Sequence, residues 1–276
     1  MTTFRFLSNL KLLKGGEIMK KAIALTLLAL FVITTGAWAI PESVTIPIYG
    51  PGGGGRVTGF NCIAPPLVPG IKIDGTVYDA TPANVFKDSS GVALVINNLL
   101  KRFDAPTQGY KIYTTMNPTA YGKVLLGDGA WLKRTAAGDT NWTYQGVPNG
   151  IPDAAGAMTD IWISLPKAGI SVGTYAFTLI GHPFSAAAPA INGGKVRYSY
   201  CSMTDGTSTK TIQQAVTAGW TDGTAIGYNA VTQGNKLVGS TAMAPNKYLE
   251  PGMGYWIKTK YPNNNLALII PANFAL

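Results

Sequence analysis

The chain has 276 residues, of which only 13% are charged, and it contains one His and two Cys. An average soluble domain has roughly a quarter charged residues. One imidazole and two thiols cannot form a zinc finger or a multi-histidine metal centre, and the 46% hydrophobic fraction excludes a disordered chain. The 33 Gly and 18 Pro follow no three-residue period, which excludes collagen and favours a turn-rich β domain.

Residues 19–39 have the order of features that is typical of a secretory signal peptide. Lys20 and Lys21 form a short positive region, residues 22–35 are uncharged and apolar, and residues 37–39 form an Ala-Trp-Ala cleavage site. The apolar run is shorter than the ~20 residues that span a bilayer, so we expect no transmembrane anchor in the mature chain; a buried core helix is the alternative. The protein is predicted to be secreted, extracellular or at the cell surface, with the periplasm as the other location.

The residues before Met19 are predicted to be untranslated leader. Residues 14–17 (Lys-Gly-Gly-Glu) match what an in-frame ribosome-binding site encodes, whereas an extended positive region over 1–18 is the alternative. Cleavage after Ala39 removes five basic residues and one acidic residue, and lowers the formal net charge from +9 to +5. The remaining adjacent basic residues form only isolated pairs, so no nucleic-acid partner is predicted.

The sequence after the signal contains an internal duplication. The aligned segments keep their order, and their offset drifts only from 117 to 125. They are 59–67 with 176–184, Asp104 and Gly109-Tyr110 with Asp222 and Gly227-Tyr228, and 127–133 with 252–258. The alignment predicts two homologous units at 57–150 and 174–276, joined by a connecting segment at 151–173 that contains a strand at 160–165.

Each unit is predicted to combine β-strands with one short helix. In the first unit, apolar residues recur at three- and four-residue steps over 92–103, which is a helical period, and a serine at 89–90 is available as the N-cap. In the second unit the same period runs over 212–220, and Thr211 with Gln214 forms a capping-box pattern.

Each unit also ends with a G-x-G-[AY]-W strand. We expect its glycines to adopt positive φ, and Trp131 and Trp256 to anchor the strand in the core. Residues 266–270 form a further apolar strand that looks buried on both faces. The predicted fold class is mainly β (α+β): two pseudo-symmetric tandem β-rich units, each with one short helix, plus an N-terminal strand-like arm.

The pairing of an apolar L-I-G-x-P-F strand at 179–184 with a later G-x-G-Y-W strand at 252–256 resembles duplicated modules of secreted, largely uncharacterised bacterial surface proteins. The resemblance covers most of residues 57–270. Its motifs are structural and contain no known active site. The resemblance therefore implies an extracellular, non-catalytic role.

The N-terminal arm, residues 40–56, lies outside the two predicted units. Val44, Ile46 and Ile48 alternate with polar residues or Pro, which predicts a strand that its prolines restrict to a sheet edge. The glycines at 52–55 are expected to form a flexible tether. The arm either packs on its own domain or serves as an assembly strand that adds to the sheet of a neighbouring copy.

Chemistry-bearing residues are scarce. His182, the only imidazole, lies in an apolar strand end, and its counterpart in the other unit is Pro65, so a structural or surface histidine is expected. The sequence has no G-x-S-x-G elbow, no carboxylate pair set apart for glycoside hydrolysis and no EF-hand loop. We therefore predict no catalytic residue, no metal site and no cofactor, and a protein that is not an enzyme.

Two further predictions concern Cys and aromatic residues. Cys62 and Cys201 are an even pair in an exported chain, which is compatible either with a disulfide or with two small buried hydrophobic residues. Trp142, Tyr144 and Trp162 are the aromatics that the repeat constrains least, and they are candidates for stacking on a polysaccharide.

These features predict a secreted, non-catalytic structural protein of the bacterial cell surface or extracellular matrix. In its assembling version it is a filament subunit that self-associates through the N-terminal strand. The expected partners are further copies of the chain or components of the cell surface or matrix. The alternative is a module that binds a carbohydrate or another cell-surface ligand.

Overall fold

A computed structural model of the chain describes residues 43–72, 75–94, 99–148, 160–165, 175–182, 195–241, 244, 246–260 and 265–271. All of these residues belong to a single contact unit, Pro41–Leu276. The predicted leader at 1–18 and signal peptide at 19–39 lie outside the described residues. In the part of the chain that is described, no helix is long and apolar enough to cross a membrane.

The described residues are mainly β-strand, arranged in several antiparallel sheets, with two short α-helices. The prediction of a mainly β fold is confirmed. The strands are β1 Ser43–Ile48, β2 Phe60–Ile63, β3 Leu67–Val68, β4 Lys87–Asp88, β5 Leu99–Asp104, β6 Gly109–Tyr113, β7 Ala130–Lys133, β8 Thr140–Gln145, β9 Val147–Pro148, β10 Ile161–Leu165, β11 Ala176–Gly181, β12 Val196–Arg197, β13 Ser202–Thr204, β14 Thr209–Thr211, β15 Thr221–Asn229, β16 Gly234–Gly239, β17 Tyr248–Leu249, β18 Gly254–Thr259 and β19 Leu266–Ile270; the helices are α1 Pro82–Val85 and α2 Ile212–Thr217.

The first hydrophobic core lies between two sheets, with strand orders β1-β8-β4 and β2-β7-β5-β6. Side chains alternate along each strand, so every second residue faces this core. In β7, for example, Ala130 and Leu132 are buried in the core, whereas Trp131 and Lys133 point to the opposite face and are only half-buried. The second face of the β2-β7-β5-β6 sheet is therefore left for other contacts.

The second hydrophobic core lies between sheets with strand orders β10-β19-β13-β14 and β11-β18-β15-β16. Helix α2 covers this core with Ile212 and Ala215, which are both fully buried. The helix begins with the predicted capping box: the Gln214 backbone N–H donates to Thr211 Oγ1 (3.2 Å), and the Thr211 N–H donates to Gln214 Oε1 (3.0 Å). The predicted second-unit helix is thus confirmed.

The predicted first-unit helix at 92–103 is wrong. Its C-terminal half is strand β5, which pairs with β6 on one side and β7 on the other. The helical period is a local signal, and the backbone hydrogen bonds of two neighbouring strands outweigh it. The short helix of this part of the chain is α1, a single turn that begins at Pro82.

The two sheets that contain the G-x-G-[AY]-W strands have the same strand order. The first strand lies beside the last, followed by the two strands of a hairpin: β2-β7-β5-β6 and β11-β18-β15-β16. Their registers also agree, because Cys62 pairs with Trp131 and Leu179 pairs with Trp256. That the units are pseudo-symmetric and tandem stays a prediction at this point.

One predicted correspondence is wrong in register. Asp104 and Gly109 face each other at the closed end of the β5–β6 hairpin. Asp222, its expected counterpart, lies at the start of β15, next to an irregularity in the pairing with β18. The closed end of the β15–β16 hairpin is formed instead by Asn229 and Gly234.

The predicted glycine tether is not a flexible linker: it forms a turn that an ion pair and hydrogen bonds hold in place. Gly53–Gly55 forms a 3-10 turn in which Gly54 and Gly55 have φ of 60° and 78°, values that glycine adopts without strain. Arg56, whose side chain is only 7% exposed, forms an ion pair with Asp139 and donates from Nε to the Gly50 oxygen (3.1 Å). These contacts fix the path of the chain between β1 and β2.

Candidate functional site

The arm strand β1 packs on its own domain. It lies at the edge of its sheet and pairs antiparallel with β8, from Ser43 opposite Gln145 to Ile48 opposite Thr140. The predicted assembly residues face the first core: Ile48 is fully buried, and Val44 and Ile46 pack against the buried cluster. The first of the two interpretations of the arm thus describes the single chain, and exchange between copies stays a prediction.

Two of the three predicted stacking aromatics are core residues. Trp142 and Tyr144 lie on the face of β8 that meets the first core, and both are fully buried. Trp142 Nε1 donates to the Val85 oxygen (2.9 Å), and Tyr144 Oη donates to the Leu67 oxygen (3.3 Å). Neither ring presents a face to a ligand, so their assignment as a polysaccharide platform is wrong.

Trp162, the third predicted stacking residue, is exposed. It lies on β10, the edge strand of its sheet, opposite Ile269, and 62% of its surface is accessible. Its predicted partners, Trp142 and Tyr144, lie in the first core and do not join it. The structure therefore does not bring the three residues together in one site.

Of the two alternatives for Cys62 and Cys201, the disulfide is not formed: both thiols are free and buried. Cys62 lies on β2 and approaches Gly254, whereas Cys201 belongs to the second core. Burial raises the pKa of both thiols well above the ordinary value, which keeps them protonated and unreactive. The alternative interpretation, two small buried hydrophobic residues, matches the structure.

His182 is fully buried, which excludes the surface position that the sequence left open for it. It follows β11, and its backbone N–H donates to the Met253 oxygen (3.3 Å). Within the described ranges, no group of three or more His, Cys, Asp and Glu residues is placed to hold a metal ion.

The second faces of the β2-β7-β5-β6 and β11-β18-β15-β16 sheets meet along a seam of aromatic side chains. The Trp131 ring lies 4.9 Å from the Tyr228 ring, and the Trp256 ring lies 4.6 Å from the Phe103 ring. The expectation that both tryptophans anchor the cores is therefore wrong. Alternation along β7 and β18 turns them away from the cores, and they join the two sheets instead.

A groove of about 390 Å³ opens at one end of the seam. Its lining residues come from both sheets and are mostly aromatic or apolar: Phe103, Gln108, Phe177, Ile226, Asn235 and Trp256. Tyr110 is 51% exposed beside the groove, with its ring 6.4 Å from that of Trp256. Apolar walls with a few amide groups are typical of sites that bind small organic molecules.

Sequence reasoning missed this groove because its walls come from five strands of two sheets and from the β5–β6 loop. Trp256 belongs to the G-x-G-[AY]-W motif, Phe177 to the aligned segment 176–184 and Phe103 to the predicted helix at 92–103, but the sequence does not bring them together. The sequence signal for this groove is the repeated Trp of the G-x-G-[AY]-W strands, but the sequence analysis expects this Trp to lie in the core. The face of the sheet on which this Trp side chain lies depends on the alternation along its strand, and the sequence alone does not show which face meets the core.

Two smaller cavities also lie next to the seam. One, of about 320 Å³, contains Lys236 Nζ, which donates to Glu250 Oε1 (2.8 Å). The other, of about 220 Å³, contains Arg102, whose guanidinium lies 3.6 Å from the Asp128 carboxylate. Burial raises the pKa of Asp128. Each cavity thus pairs its cation with a carboxylate of the same chain, which balances the charge.

No family model, curated protein or solved structure matches this chain.

Proposed function

We propose that the chain is an exported, non-catalytic structural protein of the bacterial cell surface or extracellular matrix, which assembles by exchanging its N-terminal strand between copies. The signal-peptide pattern at 19–39 supports export. The observation that carries the proposal is the position of β1: it is an edge strand that packs on the first core, and residues 49–59 connect it to β2.

Strand exchange needs no new contact surface. A β1 strand from a neighbouring copy can use the same register on β8 and the same buried face, because these contacts do not depend on which copy supplies the strand. The connection after β1 does resist release. Tyr49 N–H donates to Asn61 Oδ1 (2.9 Å), and Asn61 Nδ2 donates to the Tyr49 oxygen (3.0 Å). We therefore expect exchange to take place during folding, before these bonds form.

A cross-strand disulfide tests the proposal. Thr45 on β1 lies opposite Thr143 on β8 in the register, and Thr45 faces outward. In the variant T45C/T143C, exchange gives disulfide-linked ladders on non-reducing gels, whereas a closed arm gives an internally linked monomer. The native thiols are buried and do not compete.

The single variant T45C is the matched control, because it lacks the partner thiol on β8. Multi-angle light scattering and electron microscopy of the wild type give the assembly state independently. Ladders together with wild-type oligomers support the proposal. An internally linked monomer at every concentration, with a monomeric wild type, would overturn it.

A second candidate function is saccharide binding in the seam groove. The observation that favours it is an open aromatic groove in which Trp256 and Tyr110 are neighbours. Retention on insoluble polysaccharides is expected to fall in Y110A and W256A, and to persist in W162A, which changes an exposed aromatic elsewhere. Retention that is lost in W162A and kept in Y110A would refute this candidate.

A further inference from the structure

Two glutamines share an uncommon backbone conformation. Among the described residues, Gln108 and Gln233 are the non-glycine residues with positive φ, at 52° and 55°. A positive φ is unusual for such a residue and persists where surrounding contacts stabilise it. Each glutamine lies in the loop of a hairpin, β5–β6 or β15–β16. The two loops have similar sequences, Asp-Ala-Pro-Thr-Gln-Gly at 104–109 and Asn-Ala-Val-Thr-Gln-Gly at 229–234.

Each glutamine binds the first strand of the opposite sheet. Gln108 Nε2 donates to the Phe177 oxygen (2.9 Å), and the Phe177 N–H donates to Gln108 Oε1 (2.9 Å). Gln233 does the same with Phe60: its Nε2 donates to the Phe60 oxygen (3.0 Å), and the Phe60 N–H donates to its Oε1 (3.1 Å). Each side-chain amide thus replaces one rung of a β-ladder on the outer edge of that strand. Further along the same strands, Ile63 and Ile180 form isolated backbone bridges with Met253 and Asp128 of the opposite half.

Two further hydrogen bonds between the two halves form a matching pair. Ala64 N–H donates to the Gly252 oxygen (3.0 Å), and Gly181 N–H donates to the Gly127 oxygen (2.6 Å). Phe60 corresponds to Phe177 at an offset of 117 residues, and Gln108 corresponds to Gln233 at an offset of 125 residues. The same two offsets relate the members of every pair, including the aromatic contacts of Trp131 with Tyr228 and of Trp256 with Phe103.

The arm strand takes part in this correspondence. A Cβ atom on Gly252 would collide with Ile46 of β1, and a Cβ atom on Gly127 would lie 3.3 Å from Ile163 of β10. Strand β1 pairs with β8, the last long strand around the first core, and β10 pairs with β19, the last strand of the second. Strands β1 and β10 therefore hold equivalent places.

We infer that the chain consists of two copies of one unit, covering the described residues of 43–148 and 160–271, which bind each other through a self-complementary surface. Gln108 and Gln233 are the clasps of this surface and hold equivalent positions on it: Gln108 binds β11 of the second copy, and Gln233 binds β2 of the first. The surface fits one partner, another copy of the same unit, as the isologous interfaces of two-fold dimers do. The arm and the strand at 161–165 then belong to the units. This inference does not depend on strand exchange.

Amide hydrogen exchange of the full chain tests the clasp. We expect Q233L to accelerate exchange of the Phe60 amide and Q108L to accelerate exchange of the Phe177 amide, each by about tenfold, because each variant removes the acceptor of that amide. The control is Q213L, on the exposed surface of α2, which should change neither amide.

The isosteric variants Q108E and Q233E keep the test informative if the leucine variants misfold. Glutamate keeps the acceptor for the phenylalanine N–H and loses the donor, so exchange at both sites should rank wild type, Glu variant, Leu variant. The same ranking at Phe60 and Phe177 supports the inference. Acceleration that is confined to the hairpin carrying the substitution, or that occurs at only one of the two sites, would overturn it.

Discussion

Replacing Ile48 by Ala measures how strongly the N-terminal arm belongs to the fold. Ile48 is fully buried in the first core and lies opposite Thr140 of β8. Removing three buried carbon atoms at about 0.8 kcal/mol each costs roughly 2 kcal/mol. The strand ladder holds the surrounding residues in place and leaves a cavity, so the loss of unfolding free energy should lie at about 2–5 kcal/mol.

Urea unfolding followed by tryptophan fluorescence gives this loss, since Trp142 is buried in the same core and reports on it. Thr45→Ala is the matched control, because Thr45 lies on the exposed face of the same strand; its effect should stay within about 0.5 kcal/mol. If I48A is as stable as T45A, the arm is not part of the core in solution, and the assignment of β1 to the first core is refuted.

Three further predictions follow from single sites. Gly181→Ala should destabilise the fold by more than 1 kcal/mol, roughly the cost of overpacking, because its Cβ would collide with Ala64 at the seam. The hydrogen bond from Lys111 holds the pKa of Asp104 below its usual range; the resulting stabilisation is present above about pH 4 and is lost as the pH falls below it, so D104N should flatten this part of an acid-unfolding curve. A thiol reagent should titrate both buried cysteines only after denaturation.

Each of these has a matched comparison. Gly109→Ala, where an added Cβ meets nothing closer than 3.5 Å, should be nearly neutral, and equal losses in the two alanine variants would contradict the seam contact. An unchanged acid-unfolding curve in D104N would contradict the role of the Asp104 carboxylate. A denatured protein without two titratable thiols would contradict the free cysteines.

Elements with strong local signals were predictable from the sequence. The capping box at Thr211 and Gln214 determines where α2 begins, because it satisfies backbone donors within one turn. The alternation in the arm and at 160–165 likewise predicted β1 and β10. Both kinds of signal depend only on neighbouring residues, and so they do not require knowledge of the fold.

Features set by contacts between distant segments were not predictable in this way. Leu99–Asp104 has a helical period but is strand β5, because two other strands supply its hydrogen bonds. Trp142 is of a residue type that often binds saccharides by stacking. Only its place on the inner face of β8 shows that it is a core residue. The glutamine clasps had a signal, the Thr-Gln-Gly repeated at 107–109 and 232–234, but their partners lie in the opposite sheet.

The pairing of β1 with β8 and of β10 with β19 has a consequence for the order of folding. In each case the strands that close a core lie about one hundred positions apart in the chain. Such a high contact order predicts slow folding, since a long loop must close before its contacts stabilise anything. A chain that is synthesised from its N-terminus can complete the first core once Gln145 has left the ribosome, whereas the second core has to wait until Ile270 follows. During that interval the second face of the β2-β7-β5-β6 sheet is exposed, because the sheet that covers it has not yet formed. A chaperone or a neighbouring chain can reach this face at that stage.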